Sequence, residues 1–255
     1  MGSEMCIRDR TKISKNKVRI FFNSFLFQLV FYLWTSFISI FLSPVLLFPR
    51  NIVVKVSKLW AYVSLNLLKI TTGITYEVRG LENLDKNSSF ISSKHQSAWE
   101  TIAFWVLVDE PVYLLKRELL FIPFFGWFLF RLGMISIDRK RGRNQLESIV
   151  KQAKDALNDK RKKLIIFPEG TRRLPGAEPK YQVGIVWLYA SLKIPIVPVA
   201  LNSGLYWPRR AFYKYPGKII VQFLPPIKPH LAKREFLSKL QLQTEKASAM
   251  LLKES

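Results

Sequence analysis

SSFISSKHQSAWET, residues 88–101, is the stretch that decides how the rest of this chain is interpreted. Its apolar start indicates a short strand, and the polar residues after it indicate a turn that leads into a helix near Ser97–Trp99. His95 lies in that turn, and Glu100 follows five residues later. Because residues i and i+5 point about 140° apart on a regular helix, the two can meet only if His95 precedes the helix. A carboxylate there would fix the tautomer of the imidazole and leave its other nitrogen free as a base.

A histidine in such a turn can also fill space or cap the helix, which is the commoner role of an arbitrary histidine. The sequence has one other histidine, His230, in a Pro-rich segment, so no ligand-like histidine spacing is present. Its single cysteine, Cys6, excludes an intramolecular disulfide and a cysteine-based metal cluster. We therefore expect neither a metal nor a cofactor.

The composition points to a basic protein with a large core. The 255 residues suit one domain of ordinary size with an appendage, and 49% of them are hydrophobic. The net charge of +22 favours a polyanionic partner, either an anionic membrane surface or nucleic acid. Aromatic residues lie in apolar runs instead of alternating with basic residues, which disfavours a binder of single-stranded nucleic acid. We expect a membrane partner and no nucleic acid.

The N-terminal part of the chain has the pattern of a membrane anchor. Residues 20–48 carry no charge and are long enough to enter or cross a bilayer, and basic residues flank them on both sides. Pro44 and Pro49 interrupt the run, and residues 50–70 continue as a basic amphipathic stretch. This pattern favours a helical hairpin or re-entrant anchor; a hairpin buried in the core is the alternative. No inference is drawn from the first ten residues, whose composition is unlike the rest.

From residue 74 onward, strand and helix patterns alternate. The predicted strands are 74–78, 89–92, 112–115, 134–137, 164–167, 196–201 and 219–224, and the predicted helices are 98–108, 118–131, 143–159, 181–192 and 232–253. This alternation favours an α/β fold with a mostly parallel central sheet, which binds ligands at the carboxyl ends of its strands. The very apolar stretch 119–133 can be core, a lid on an acyl chain, or a membrane-contacting surface.

Three further motifs lie at the ends of predicted strands. They are GMISIDR (133–139), FPEGTR (167–172) and IVPVAL (196–201). In the second, Gly170 allows close backbone approach, and Thr171 and Arg172 can donate hydrogen bonds to phosphate oxygens. Combined with an imidazole and its carboxylate, these motifs describe a site that deprotonates a group attached to a phosphate.

The four motifs, in this order, resemble the signature of the glycerolipid acyltransferases, specifically the 1-acylglycerol-3-phosphate acyltransferase group. The resemblance spans about residues 75–225 and has two departures. Glu100 stands where the family usually has aspartate, and Lys94 stands where it usually has asparagine. Because glutamate is longer by one methylene, the pair with His95 can still form, and Lys94 could add attraction for phosphate.

The resemblance implies an enzyme of phospholipid biosynthesis that transfers a fatty acyl group to the sn-2 hydroxyl of 1-acylglycerol 3-phosphate, giving phosphatidic acid. His95 would be the general base and Glu100 would orient it, without a covalent acyl-enzyme. Pro198 and its neighbours would shape the acyl-donor pocket. Six residues are the candidates for holding the phosphate and glycerol of the acceptor: Lys116, Arg139, Glu169, Gly170, Thr171 and Arg172.

The expected partners are a lysophospholipid acceptor, an acyl-CoA or acyl-carrier-protein donor, and an anionic membrane surface. The resemblance and the pattern together divide the chain into a basic tail (1–19), a helical hairpin membrane anchor (20–72) and a catalytic domain (73–255). We expect the inner membrane as the location, with the catalytic domain facing the cytoplasm.

Three alternatives stay open at this point. The acceptor could be another lyso-lipid, such as lyso-ornithine lipid or lysocardiolipin, or glycerol 3-phosphate itself. A phosphate-free acceptor would have less need of Arg139 and Arg172. A non-catalytic protein that binds anionic lipid would account for the charge and the anchor, but it has no use for the spacing between His95 and Glu100.

Overall fold

The computed structural model describes residues 3–84, 90–137 and 143–255, with side chains from residue 16 onward except those of residues 143 and 144. The α-helices are α1 (Ser3–Phe41), α2 (Arg50–Thr72), α3 (Trp99–Leu107), α4 (Phe125–Arg131), α5 (Arg143–Leu157), α6 (Gly184–Leu192), α7 (Ser203–Tyr206) and α8 (Lys233–Lys253). The strands are β1 (Ile74–Arg79), β2 (Phe90–Ser93), β3 (Glu110–Lys116), β4 (Ile135–Ile137), β5 (Lys162–Ile166), β6 (Ile196–Leu201) and β7 (Gly217–Phe223). Short 3-10 helices occupy Ser43–Leu47, Leu81–Asn83 and Arg117–Phe121.

The strands form one sheet in the order β1-β7-β6-β2-β5-β3-β4. Neighbours are parallel except β6 and β7, which pair antiparallel. The predicted α/β fold with a mostly parallel sheet is therefore confirmed. The central position of β2 brings its carboxyl end, and the turn with His95 that follows, between the ends of β5 and β6.

The central strands are apolar on both faces because helices cover the sheet on both sides. Along β5, Ile165 points into one core layer and Leu164 and Ile166 into the other. Along β2, Ile91 and Phe90 divide between the two layers in the same way. Helices α2 and α3 close the first layer, and α5, α6 and α8 close the second. This packing holds the strand ends, and therefore the turns that follow them, in fixed positions.

The predicted helix over 118–131 is interrupted. A 3-10 helix ends at Phe121, and α4 begins only at Phe125. Pro123 is the physical reason, because proline disfavours helical geometry in the residue before it, and Ile122 is extended with φ −68° and ψ 118°. Phe124 then adopts a positive φ of 60° before α4 starts.

Helices α1 and α2 form a hairpin whose inner face packs on the α/β domain. The buried side chains of α2, among them Val53, Ala61 and Leu68, join the core layer that contains α3. From α1, Phe27 packs edge-on against Trp207 at a ring-centroid distance of 5.2 Å. Helix α1 begins at Ser3, so residues expected to form a tail are helical; no proline or glycine interrupts them.

The outer face of α1 is apolar and exposed. It includes Phe22, Phe25, Leu29, Tyr32, Leu33 and Phe41. By length and composition, residues 16–41 of the described chain could cross a membrane, a test that signal sequences and buried core helices also pass. The exposed aromatic and aliphatic face is nevertheless unusual for a helix in contact with water.

One ion pair joins the corner of the hairpin to the sheet. Arg50, the first residue of α2, pairs with Glu110 at the start of β3 and donates to the carbonyl of Leu132 at 3.1 Å. The side chain of Glu110 is 8% exposed, so its charge has little access to water. Arg161 also approaches Glu110, at 3.5 Å, but its own side chain is 63% exposed.

We expect Arg50→Met to lower the free energy of unfolding by about 1.5–3 kcal/mol, because a charged hydrogen bond to a buried carboxylate is lost. Arg161→Met is the matched control, since it removes an exposed partner of the same carboxylate and should cost less than about 1 kcal/mol. Denaturant unfolding of both variants in detergent measures the difference. Equal costs would show that the hairpin corner does not depend on this pair.

Candidate active site

The turn between β2 and α3 is folded around the carboxylate of Glu100. Its Oε1 accepts hydrogen bonds from the backbone N–H groups of Gln96 at 2.7 Å and Ser97 at 2.8 Å. The same oxygen lies 2.9 Å from Nδ1 of His95. Because α3 begins only at Trp99, His95 precedes the helix and can return to a side chain of its first turn. The structure therefore brings together the histidine and the acid that the sequence paired.

Glu100 is charged although it is buried. Its residue exposure is 1%, and its Oε2 accepts from the hydroxyl of Ser203 at 2.9 Å. Burial acts to raise the pKa of this carboxyl, but the hydrogen bond with His95 and those from the backbone outweigh it, so the pKa lies below its ordinary value. A carboxylate on Nδ1 favours the tautomer that carries its proton there and leaves Nε2 able to accept one.

The face of the His95 imidazole is also held, by an aromatic side chain. The ring of His95 stacks on Phe167, with centroids 4.1 Å apart and planes 20° apart, and Phe167 stacks in turn on Tyr113. The carbonyl of His95 accepts from the N–H of Arg173 at 2.8 Å. These contacts join the turn after β2 to the turn after β5.

Glu169 does not face the cavity; it supports the histidine turn from behind. It is 2% exposed, and its Oε2 accepts from the backbone N–H of His95 at 2.9 Å. Its Oε1 lies 2.7 Å from Nζ of Lys94, which also reaches Glu245 of α8 at 2.9 Å. Tyr181 donates to the same oxygen of Glu245 at 3.0 Å. Lys94, which the sequence suggested for attracting phosphate, is therefore a buried counter-ion in this structure.

A cavity of about 870 Å³ opens at His95. Four more of the predicted site residues border it: Lys116, Gly170, Thr171 and Arg172. Pro198 is buried in β6, where it pairs with β2, and is not among the described residues that border the cavity. Arg139 lies outside the described residues. Among the described candidates for holding the acceptor, all but Glu169 therefore border the same cavity as His95.

The rest of the cavity wall is mainly apolar. It runs between the hairpin, represented by Ile38 and Trp60, and the helices α3 and α4, represented by Trp105 and Phe128. Residues of α5 and α6 border the cavity as well. The stretch 119–133 has two faces, because Phe128 and Leu132 are buried at this wall while other aromatic side chains of the stretch, such as Phe130, are exposed.

Two arginines that the sequence reasoning missed also border the cavity: Arg209 and Arg210, from the segment after α7. Arg209 donates from Nη1 to the carbonyl of Arg172 at 2.8 Å. Burial lowers the pKa of Arg172 below its ordinary value, and the charges of Arg209 and Arg210 lower it further, partly offset by Glu100. The signal in the sequence was a pair of adjacent arginines in a turn, a pattern that usually belongs to a solvated surface.

Comparison with known proteins gives a consistent result. Residues 75–202 match the model of the Acyltransferase family. The 1-acyl-sn-glycerol-3-phosphate acyltransferase of Pseudomonas aeruginosa is 39% identical over 194 residues, which cover 76% of this chain and 74% of that protein. The alpha form from Mus musculus is 30% identical over 208 residues, covering 80% and 72%. The crystal structure of the 1-acyl-sn-glycerophosphate acyltransferase from Thermotoga maritima superposes with a TM-score of 0.70, covering 89% of this chain and 97% of that one; at 20% identity it shows a shared fold.

We expect Lys94→Met to lower the free energy of unfolding by about 3–5 kcal/mol, because it leaves the buried carboxylate of Glu169 without its counter-ion. Glu245→Gln is the control. The side chain of Glu245 is 26% exposed, and the ion pair between Lys94 and Glu169 remains, so the free energy of unfolding should fall by about 1 kcal/mol. Tryptophan fluorescence during denaturant unfolding measures both.

The double variant Lys94→Met/Glu169→Gln separates lost charge balance from lost packing. It should regain part of the stability lost in Lys94→Met, since the fully buried carboxylate is gone and the one left without Lys94, that of Glu245, has a side chain that is 26% exposed. A Lys94→Met protein as stable as the wild type would contradict the supporting role of this network.

Proposed function

Since the chain belongs to the acyltransferase family, we propose that it transfers a fatty acyl group from a thioester donor to the sn-2 hydroxyl of 1-acylglycerol 3-phosphate, forming phosphatidic acid. The observation that carries this proposal is the pair of His95 and Glu100, 2.9 Å apart, at the polar end of a largely apolar cavity. The names of the relatives from Pseudomonas aeruginosa and Mus musculus support the choice of acceptor.

In this mechanism His95 acts as general base through Nε2. It accepts the proton of the acceptor hydroxyl while the oxygen attacks the thioester carbonyl. The tetrahedral intermediate collapses with cleavage of the C–S bond, and the departing thiolate takes the proton back from the imidazolium. Glu100 keeps the ring oriented and stabilises its positive charge in the transition state. No acyl-enzyme is needed, because the acceptor itself is the nucleophile.

The polar residues at the cavity suit the acceptor's phosphate. Lys116 and Arg172 supply positive charge, and Thr171 supplies a hydroxyl donor. Gly170 allows the backbone to come close to the ligand. Arg139 stays a proposed phosphate ligand on the strength of the resemblance alone. For Glu169 we propose a positioning role toward the backbone of His95 in place of direct contact with the acceptor.

The part of the cavity wall formed by the hairpin, α3 and α4 suits a fatty acyl chain because it is mainly apolar, with Ile38, Trp105 and Phe128 among its side chains. Both acyl-CoA and acyl-carrier protein present the same thioester to His95, so the proposal includes either donor. Pro198 lies within the buried strand β6 and is not among the described residues that border the cavity, so it would act only by shaping the strand.

We propose that the hairpin over 20–72 holds the protein on a membrane through the outer face of α1, with the domain over 73–255 in the cytoplasm. The family and the apolar helix support association with a membrane. The basic residues on both sides of the apolar run, and the net charge of +22, support a cytoplasmic orientation on an anionic inner membrane.

The reaction is tested with a labelled long-chain acyl-CoA and 1-acylglycerol 3-phosphate, using purified protein in detergent. We expect phosphatidic acid from the wild type, and turnover lower by about 10² or more in His95→Ala and in Glu100→Gln. His230→Ala is the matched control, since it removes the other histidine, and it should keep full activity. An active His95→Ala protein would contradict the mechanism. Lyso-ornithine lipid and glycerol 3-phosphate, offered in parallel, test the alternative acceptors.

The anchor is tested by changing its surface without removing its core. We expect the triple variant Phe22→Ser/Phe25→Ser/Leu33→Ser to fold and to shift from the membrane fraction toward the soluble fraction, because apolar contact with lipid is lost. The control Leu242→Ser/Met250→Ser removes exposed apolar side chains from α8 and should leave the distribution unchanged. Sedimentation with liposomes of anionic lipid measures both. Unchanged binding of the triple variant would move the anchor to the exposed residues of 119–133.

A further inference from the structure

Three guanidinium groups from two separate segments border one end of the cavity. Arg172 follows β5, and Arg209 and Arg210 follow α7. The backbone of Arg172 and the side chain of Arg209 are hydrogen-bonded at 2.8 Å, so the two segments are in direct contact. His95 borders the same cavity, and the backbone N–H of Arg173, the residue after Arg172, donates to the carbonyl of His95 at 2.8 Å, so the cluster adjoins the histidine turn.

This cluster has no counter-ion of its own among the described residues. None of the three guanidinium groups forms an ion pair in the described part of the chain. The negative charge of Glu100 acts on Arg172 from a distance. The two carboxylate oxygens of Glu100, however, already accept hydrogen bonds from His95, two backbone amides and Ser203. Arg172 and Arg209 are half-buried and Arg210 is exposed. Because the positive charges of Arg209 and Arg210 act on Arg172, the three groups repel each other.

The segment that carries Arg209 and Arg210 has a strained backbone at one residue and is held by hydrogen bonds further along. Arg210 has a φ of 56°, a left-handed backbone conformation that costs a side-chain-bearing residue about 1 kcal/mol or more. Lys214, further along, anchors the segment: its backbone N–H donates to Ser24 of α1 at 2.9 Å, and its Nζ donates to the carbonyl of Phe212 at 2.8 Å. Strain and charge repulsion that persist together next to a reacting group are typical of a ligand site.

We propose that Arg209 and Arg210 complete, together with Arg172, a binding site for a phosphate monoester dianion. Three guanidinium groups offer forked N–H donors to several phosphate oxygens at once. A monoester leaves three oxygens and about two negative charges for them, whereas a diester has one charge and an oxygen blocked by its second substituent. The cluster therefore selects a lysophospholipid with a bare phosphate over one with an esterified headgroup. This last step rests on the proposed function; binding of phosphate does not.

Binding is measured without turnover, by thermal unfolding in a neutral detergent. We expect inorganic phosphate to raise the unfolding temperature of the wild type saturably, with potassium chloride at equal ionic strength as the blank. The shift should be lost or strongly reduced in Arg209→Gln and Arg210→Gln, and kept in Arg234→Gln, an exposed arginine of α8. Without phosphate, Arg210→Gln should unfold at the same temperature as the wild type or higher, because removing one charge relieves the repulsion.

Arg210→Gln is the cleaner variant, since the side chain of Arg210 is exposed and makes no hydrogen bond to another described residue. If Arg209→Gln does not fold, Arg209→Lys replaces it in the test, because lysine keeps the positive charge but lacks the forked N–H donors of the guanidinium group. A phosphate shift that is absent in the wild type, or that is equal in Arg210→Gln and wild type, would overturn the proposal.

The kinetic arm distinguishes the lipid headgroup from free phosphate. For 1-oleoylglycerol 3-phosphate, we expect the KM to rise about 10- to 100-fold in Arg210→Gln while kcat changes little, as for the loss of a charged hydrogen bond. The preference over 1-oleoylglycerol-3-phosphocholine should fall with it. A change in kcat alone would overturn the specificity role. If the wild type binds phosphate but forms no phosphatidic acid, the site stands and the proposed function fails.

Discussion

The buried carboxylate of Glu100 is the constraint on which the site depends. It sits in the first turn of α3, where the N-terminal N–H groups favour a negative charge. By accepting from two amides of the preceding turn, it converts a flexible connection after β2 into a fixed loop. The same charge orients the ring of His95 and receives the hydroxyl of Ser203 from the segment after β6. One charge thus gathers the ends of two adjacent strands around the base.

The network behind the histidine shows how the chain accommodates its departures from the usual family residues. Lys94, in the position where the family usually has asparagine, is a charge in the protein interior, and it requires an acid within reach. Glu169 provides one oxygen for it and uses the other for the amide of His95. Glu245 extends the network to α8, so the last helix of the chain contributes to the position of the base. Because both charges lose hydration on burial, such a pair adds little net stability over an apolar replacement, whereas removing only one partner is costly.

The outline of the fold and the reacting pair could be predicted from the sequence because both depend on local patterns. Strand–helix alternation gave the parallel sheet, and a spacing of five residues across a helix start identified His95 and Glu100. The directions in which the side chains of the FPEGTR turn point could not be predicted in the same way. Glu169 and Thr171 are two residues apart, yet one supports the turn from behind and the other borders the cavity. Arg210 was missed because only the three-dimensional fold brings the segment after α7 to Arg172.

The hairpin and the arginine cluster are physically connected. Ser24 of α1 holds the backbone of Lys214, and Phe27 of the same helix packs against Trp207, at the two ends of the segment that carries Arg210. Residues of the same hairpin, such as Ile38 and Trp60, also border the cavity. In the proposed arrangement, with the outer face of α1 in the membrane, the cluster would hold the phosphate of the acceptor while its acyl chain lies against the hairpin. The acceptor would then reach His95 from the membrane, because the helix proposed to contact the lipid also positions the segment that carries Arg210.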